Sequence, residues 1–484
     1  MYNIMAEEKL MSKYDVIIVG AGPCGIYCAY ELEKISKDLK ILLVDKGHDI
    51  YHRTCPILEG KIKQCPKDIY GHSGCYPSCS MTSGFGGCGA FSDGKFNITN
   101  EFGGWMQEYL DRDEVLNLIK YVDQINLKHG APLTITDPNT KDIMDIERRG
   151  LAVGLKLLRS EVRHLGTEVN LKLLESIYEE LKRDGVDMKF ATEVQDIIVE
   201  NNEVKGIIDA KGNSYMADYV VLNVGRPGSK WLSAMLKNHK IKVTNNRVDI
   251  GVRVETNDVI MSEINEKLYE GKFTFNTTVG TSVRTFCSNP SGHVVVENNN
   301  GIITANGHAY NSSELGSHNT NFALLVSHTF TEPFKDSNEY AQEISSLANK
   351  LSNGTVIVQR YGDLRKGRRS TYKRISEGFV EPTLKEAVPG DLGSVLPFKT
   401  MQSIIEMIEA LNYITPGIAN AHTLLYGVEA KFYSDRIECN NNFETKIKNL
   451  YVGGDGAGIT RGLAQAGANG VFIARDIVKK EGNK

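Results

Sequence analysis

The sequence has no apolar run approaching the roughly 20 residues that a bilayer-spanning helix needs, which excludes the helical membrane classes. Neither charge is in surplus: a formal net charge of −4 gives no general attraction to nucleic acid or to an anionic membrane surface. Aromatic residues interleaved with basic ones, the mark of a nucleic-acid surface, are scarce. There is no internal repeat and no low-complexity stretch. Met1 to Lys13 mix charge and methionine without an apolar signal-peptide core and read as a loose leader, with Met11 an alternative start. At 484 residues the chain has room for two or more domains, and the absences together point to a cytoplasmic protein.

What is present begins with Tyr14-Asp-Val-Ile-Ile-Val-Gly-Ala-Gly-Pro-Cys-Gly25. Val16 to Val19 suit a parallel strand buried on both faces. Gly20, Gly22 and Gly25 complete G-x-G-x-x-G, and Ile26 to Ile35 read as a helix with Ala29, Leu32 and Ile35 inward. A second strand, Ile41 to Val44, ends in Asp45, 25 residues after Gly20. In a dinucleotide site Gly20 makes the tight turn, Gly22 admits the pyrophosphate and Gly25 lets helix and strand pack closely. The helix N-terminus then receives the diphosphate, and Asp45 is placed to accept from the adenosine ribose hydroxyls.

Residues 46–100 are too long for an ordinary connection and rich in glycine and cysteine. Five of the chain's nine cysteines fall here: Cys55, Cys65, Cys75, Cys79 and Cys88. In a large cytoplasmic protein such crowding points to metal or redox chemistry rather than a disulfide framework. Four thiolates can hold a four-iron, four-sulfur cluster or a structural zinc, and reduced thiols without metal are the third reading. The insert ends in a loop with five glycines between Gly84 and Gly94, whose backbone permits close approach of a flat ligand; Gly84, Gly86, Gly87 and Lys95 are its candidate contacts.

Downstream, a helical pattern covers 105–131, a loop-like stretch 132–150, a helix Val169 to Arg183 and a strand Met188 to Thr192. A hairpin follows, Val194 to Val199 and Val204 to Asp209, and then a buried strand meeting Gly225. This order is similar to that of a flavin-binding Rossmann domain, which implies that Val194 touches adenine through its backbone and that Gly225 packs near the ribose. Residues 236–420 read as a separate domain, with strands at Val248 to Val254, Phe273 to Val279, His293 to Val296, Ile302 to Ala305 and Phe322 to Val326, and helices at 337–350 and 400–411. The closing segment Asn449-Leu-Tyr-Val-Gly-Gly-Asp-Gly-Ala-Gly-Ile-Thr-Arg-Gly462 and its following helix resemble the second half of an FAD site. There Gly454 and Asp455 would hold the ribityl chain, and the helix start at Gly462 would face the flavin. The expected fold is therefore α/β: a Rossmann-type FAD-binding domain, with a parallel sheet plus β-meander, in two parts (12–235, containing the insert, and 421–484), and an inserted α+β substrate domain (236–420).

With both ends in view, the chain resembles an uncharacterised bacterial family of FAD-dependent dehydrogenases, Rossmann flavoproteins of the glutathione-reductase kind. The resemblance covers essentially the whole length and rests on Gly84-Phe-Gly-Gly-Cys-Gly-Ala-Phe-Ser-Asp-Gly-Lys95 and Gly454-Asp-Gly-Ala-Gly-Ile-Thr-Arg-Gly462. Ala305-Asn-Gly-His308, Leu364-Arg-Lys-Gly-Arg-Arg-Ser370 and Leu425-Tyr-Gly-Val-Glu429 support it. Similar proteins mostly carry alanine in place of Cys88. Similar proteins from anaerobes often have a cysteine-proline-isoleucine and then three cysteines before the glycine loop, which here match Cys55-Pro-Ile57, Cys65, Cys75 and Cys79. The resemblance implies an FAD-binding oxidoreductase and supplies no substrate.

No second G-x-G-x-x-G follows a strand, so NAD(P)H docking transiently, a ferredoxin-like carrier protein or the substrate itself are the open electron sources. His308 and Tyr310, after a strand, are candidates for proton transfer; Cys287 is a candidate redox thiol, and Arg461 could stabilise negative charge. The run Arg365-Lys-Gly-Arg-Arg369 with Lys373-Arg374 is either a solvated turn or a binder of anions. The functional expectation is hydride transfer to or from a small anionic organic substrate, with an iron–sulfur input through Cys55, Cys65, Cys75 and Cys79. The alternative is an RNA-directed or other macromolecule-binding flavoprotein.

Overall fold

The computed structural model describes residues 13–57, 59–62, 65–66, 75–92, 94–268, 271–299, 301–309 and 313–482. The leader, with Met11, and the candidate Tyr310 lie outside the described residues. The chain forms two compact units: residues 1–136, 160–244 and 434–484 make the first, and residues 137–159 and 245–433 the second.

The first unit is built on a parallel sheet in the order Asp187–Lys189, Ile41–Val44, Lys13–Val19, Ser214–Leu222, with Leu450–Val452 against the last of these. Val19 pairs with Val44 and with Leu222, and Leu222 with Val452, so these strands end level. Their glycine-rich exits therefore emerge along one edge, where open α/β sheets bind ligands. Ser214–Leu222 shares its outer side: its beginning pairs antiparallel with the hairpin Val194–Glu200 and Glu203–Asp209, and its end runs parallel to Leu450–Val452. Four-residue Ile41–Val44 is wholly buried, as a strand covered on both faces must be.

The first helix, Pro23–Ile35, starts earlier than the periodicity suggests, because proline is well suited to a first helical turn. Its packing against the closing helix, Leu463–Glu481, is close enough that a Cβ on Gly470 would lie 2.0 Å from the Cys24 carbonyl oxygen. Ile35, expected inward, is 46% exposed because the helix ends there beyond the sheet. The helix expected over 105–131 is ordered as Arg112–Lys128, capped by the Asp111 carboxylate.

The second unit holds an eight-stranded sheet in the order Val388–Pro389, Ile357–Arg360, Leu424–Lys431, Val248–Asn257, Asn319–His328, Ser282–Asn289, Phe273–Asn276, Leu155–Leu157. The domain boundaries differ from expectation for reasons visible in this sheet. Residues 137–159 join it because Leu155–Leu157 pairs with Phe273–Asn276, and 421–433 join it because Leu424–Lys431 pairs with Val248–Asn257. The stretch expected as loop, 132–150, contains a helix, Lys141–Leu151, whose Thr140 cap accepts from the Ile143 amide. The strand from Phe273 stops at Asn276, where Thr277 and Thr281 close a turn.

Alternation along Val248–Asn257 separates two chemistries. Ile250, Val252 and Val254 share an apolar core with Ile404, Met407 and Ile408 of the helix Phe398–Ile414. Arg253 and Glu255 point the other way and are nonetheless fully buried. Arg253 forks onto Glu429 at 2.8 and 2.7 Å and donates to Asn306 and the Cys287 carbonyl. Glu255 accepts from Tyr426 and Thr383, both at 2.5 Å, and from Asn319. Removing one partner of a buried pair strands the other charge at a cost of about 3–5 kcal/mol. Lys431, 3.2 Å from Glu429, compensates in part. Arg253→Met is therefore expected to lower unfolding free energy by about 3 kcal/mol, and the double change with Glu429→Leu to recover most of it. Urea unfolding of the two variants checks this; equal losses in both would refute it.

Candidate functional site

A cleft of ≈ 390 Å³ opens in the first unit at the carboxyl ends of the parallel strands. Its lining includes Gly20, Gly22, Asp45, Val194, Gly225, Gly454, Asp455, Arg461 and Gly462, segments far apart in sequence that the topology brings together. The three opening glycines answer to different constraints. Gly20 has φ +106°, and a Cβ there would lie 2.5 Å from the Asn223 carbonyl oxygen. A Cβ on Gly25 would lie 1.9 Å from the Gly20 carbonyl oxygen. A Cβ on Gly22 would meet no protein atom within 4 Å. The protein packs against Gly20 and Gly25, whereas the space beside Gly22 belongs to the cleft.

Three helices begin on this cleft: Pro23–Ile35, Ser229–Asn238 and Leu463–Glu481, with glycine caps at Gly22, Gly228 and Gly462 and no side-chain cap on any of them. The first amides of Pro23–Ile35 and Leu463–Glu481 lack intrahelical partners and carry the positive ends of the helix dipoles, the natural environment of a diphosphate, whereas Ser229 N already donates to Arg226 O of the turn before it. Asn223, 2% exposed, also lines the cleft, and neither atom of its side-chain amide has a protein partner. A buried amide in that state is completed by a ligand or water. The donor set fits a dinucleotide.

Asp45 lines the cleft and also holds three backbone amides. Its Oδ2 accepts from the Ala21 amide at 2.8 Å, and its Oδ1 from Gly47 at 2.7 Å and Gly84 at 2.9 Å. One carboxylate thus joins the dinucleotide turn to the glycine-rich loop. That loop lies on the turn, with Gly86 N donating to Ala21 O at 2.8 Å. Gly87 and Lys95 line the cleft, as do Cys88, Gly89 and Ser92. Gly84 and Gly86, expected as ligand contacts, are not among the lining residues. Gly84 (φ +105°) is required because a Cβ would lie 2.3 Å from His48 O, and Gly86 because it would crowd Leu174 and Ala90.

Asp455 accepts from Thr460 Oγ1 at 2.8 Å. Desolvation pushes its carboxyl above the ordinary range, while Arg226 and Thr460 pull it down. Arg461 anchors its backbone on Gly103 O at 2.9 Å and lines the cleft. Cys88, whose side chain is open to the cleft, donates to Thr82 O at 3.4 Å. Burial raises its thiol, and Arg226 and Arg53 oppose that shift.

Arg53 is the residue that sequence reasoning missed. It is 4% exposed and reaches back into its own insert, donating to Ser80 O at 2.9 and 2.6 Å, Phe85 O at 2.5 Å and Gly87 O at 2.8 Å. Its guanidinium lies over Phe91, 4.9 Å from the ring centre, and burial lowers it to about 10. No local pattern announces this role, because its partners are carbonyls 27 to 34 residues away.

The proposed metal set is not assembled. Cys55 and Cys75 are half-buried, Cys65 and Cys79 exposed, all free. Among the described residues no group of three or more His, Cys, Asp or Glu side chains is disposed to hold a metal ion. The thiols do feel one another: burial raises Cys75, and Cys79, Cys65 and Cys55 raise it further. The loose spacing expected from sequence leaves them neighbours rather than a ligand shell.

His308 and Cys287 belong to the second unit and are not lining residues of this cleft. His308 ends the strand Ile302–His308, exposed, with its backbone paired to His293. Cys287, at φ +47°, offers its carbonyl to Arg253 at 3.0 Å. The basic run is exposed, with part of it paired to carboxylates. Asp363, 1% exposed, takes Arg368 at 2.7 Å and Arg374 at 3.1 Å, and Arg365 pairs with Glu409.

Residues 18–53 match the family of NAD(P)-binding Rossmann-like domains, and residues 247–432 that of the C-terminal domain-like region of FAD-dependent proteins. An uncharacterised protein of Clostridium beijerinckii is 25% identical over 485 residues, covering 96% of this chain and 80% of its own length. Among solved structures, quinol fumarate reductase of E. coli is 14% identical over 98% of this chain and 71% of its own, with a TM-score of 0.41. Glycine oxidase from Bacillus cereus is 14% identical over 96% and 95%, with a TM-score of 0.36. These structural likenesses are distant. No helix among the described residues is long and apolar enough to cross a membrane.

The raised carboxyl of Asp455 has a thermodynamic consequence. A group raised on folding stabilises the folded state while protonated and loses that contribution as pH rises through its folded value. In flavin-free protein, Asp455→Asn is therefore expected to raise the melting point at pH 7, by roughly 2–4 °C per kcal/mol recovered, and to remove part of the decline in stability as pH rises above the ordinary carboxylate range. The same change should weaken FAD retention by about 10–100-fold, the worth of a charged hydrogen bond. Melting curves and flavin retention on one preparation test both; unchanged retention would refute the assignment.

Proposed function

We propose that this FAD-dependent oxidoreductase transfers a hydride to or from a small anionic organic substrate. The observation that carries the reading is that Lys95 and Arg461 line the same cleft as the residues suited to FAD. When bound, FAD supplies two-electron chemistry. The chain supplies the rest. The uncapped helix starts at Gly22 and Gly462 would receive phosphate and flavin charge, and Asp455 would accept from sugar hydroxyls. Arg461 and Lys95 attract an anionic substrate and stabilise negative charge that develops during transfer. Electrons come from NAD(P)H, a ferredoxin-like carrier or the substrate itself. An iron–sulfur input through Cys55, Cys65, Cys75 and Cys79 is carried no further, since those residues do not form a ligand set. Arg365, Arg368 and Arg374 pair with Glu409 and Asp363, which lowers the charge they offer to RNA.

The test is anaerobic bleaching of the flavin-loaded protein by a panel of carboxylates, neutral alcohols and amines, NADH, NADPH and reduced ferredoxin. Carboxylates are expected to exchange electrons with it, and Arg461→Ala to lower kcat/KM for them by about 10–100-fold, the worth of a charge-assisted contact. Bleaching by neutral compounds only, unaffected in Arg461→Ala, would overturn the reading.

A further inference from the structure

The disagreement between the expected metal site and the observed thiols leads to a different use for two of them. We propose that Cys79 and Cys88 form a redox-active dithiol/disulfide pair at the wall of the cofactor cleft and exchange electrons with a small-molecule disulfide. Four observations converge on it. Both cysteines are exposed, and of the two Cys88 is a lining residue of the cleft. The Cys88 Sγ turns back onto Thr82 O at 3.4 Å. Thr82 belongs to the turn that Cys79 closes, where Thr82 N and Ser83 N donate to Cys79 O at 3.1 and 2.9 Å.

The third observation is the Arg53 clamp. Its guanidinium holds Ser80 O, adjacent to Cys79, and Gly87 O, adjacent to Cys88, so one buried cation fixes the backbone beside both sulfurs. The fourth is electrical. Cys79 acts on the protonation of Cys88, and Arg53 feels both. Arg53 opposes the rise that burial gives the Cys88 thiol, and the thiolate is the attacking species in exchange. No such clamp holds Cys55 or Cys65 among the described residues.

The step balances without an outside reagent beyond the disulfide. The Cys79 thiolate attacks a substrate disulfide, releasing one thiol and leaving a mixed disulfide on Cys79. Cys88 then displaces the second thiol and closes the Cys79–Cys88 bond. Two electrons and two protons leave the protein with the two substrate thiols. Reduction of the closed pair by two electrons and two protons from the reduced cofactor restores both thiols; this return step alone rests on the flavin reading above.

Oxidised glutathione is the probe. Reduced full-length protein is equilibrated in glutathione redox buffers, quenched with N-ethylmaleimide, and mapped by peptide mass spectrometry, with and without bound flavin. As the buffer becomes oxidising, Cys79 and Cys88 should lose alkylation together and appear in one linked peptide. Cys88→Ser should retain glutathione on Cys79, and Cys79→Ser should leave Cys88 alkylatable. A linked peptide joining Cys79 to Cys75 or Cys65 while Cys88 stays alkylated would overturn the proposal, as would no linked peptide in any buffer. The wild-type map needs no variant to fold. Pairing in protein that never retains flavin would sink the flavin reading and leave the pair standing; retained flavin without pairing would do the reverse.

Discussion

The geometry of the cleft depends on one carboxylate. Asp45 leaves its strand and accepts amides from Ala21, Gly47 and Gly84, which tie the dinucleotide turn, the strand exit and the start of the glycine loop to a single point. Without it, the loop would keep the Arg53 clamp, the Gly86 contact and the Asn170 side chain on Gly89 O and Ala90 O, but no direct tie from its start to the dinucleotide turn. Each carboxylate oxygen carries two lone pairs, so Oδ2 keeps acceptor capacity after binding Ala21. Structural and ligand-binding roles are therefore compatible in one residue.

Much of this cleft was legible from the chain. The runs ending at Val19 and Val44, the glycines between them and the distant Gly454-Asp455 all declare themselves by local pattern. Their legibility has a physical source: turns with positive φ and close backbone approach admit little besides glycine. Gly84 and Gly86 mislead for the same reason. Their glycines satisfy His48 O, Leu174 and Ala90, so a requirement of packing looked like a requirement of the ligand. Arg53 and Asn223 carried no signal, because what defines them is a set of partners, or an absence of partners, that exists only once the chain is folded.

The second unit shows the complementary limit. Three strands of its large sheet, Val248–Asn257, Phe273–Asn276 and Asn319–His328, were readable from β-branched and aromatic runs, but Val248–Asn257 carries charged residues on a face that is as buried as its apolar one. Alternation normally assigns such a face to solvent. Here Arg253 and Glu429 satisfy each other, and Glu255 accepts from Asn319, Thr383 and Tyr426. Their burial favours one register over a slipped one, since moving Arg253 by a single residue would place a guanidinium in the hydrocarbon core. The same pairing across distant strands explains the boundaries: Leu155–Leu157 and Leu424–Lys431 belong where their partners are, whatever their position in the chain.

The shared outer side of Ser214–Leu222 has a consequence for synthesis. The partner for its final residues, Leu450–Val452, lies beyond the whole second unit. At ribosomal speeds of 5–20 residues per second, roughly 10–45 s pass between the emergence of the two strands. Throughout that interval the nascent sheet presents an unpaired edge along the apolar end of this strand, Tyr219 to Leu222, the kind of surface that recruits other chains. The cofactor cleft is then closed last, by residues that also end the exposure, so acquisition of the ligand and escape from aggregation are coupled to the same late event.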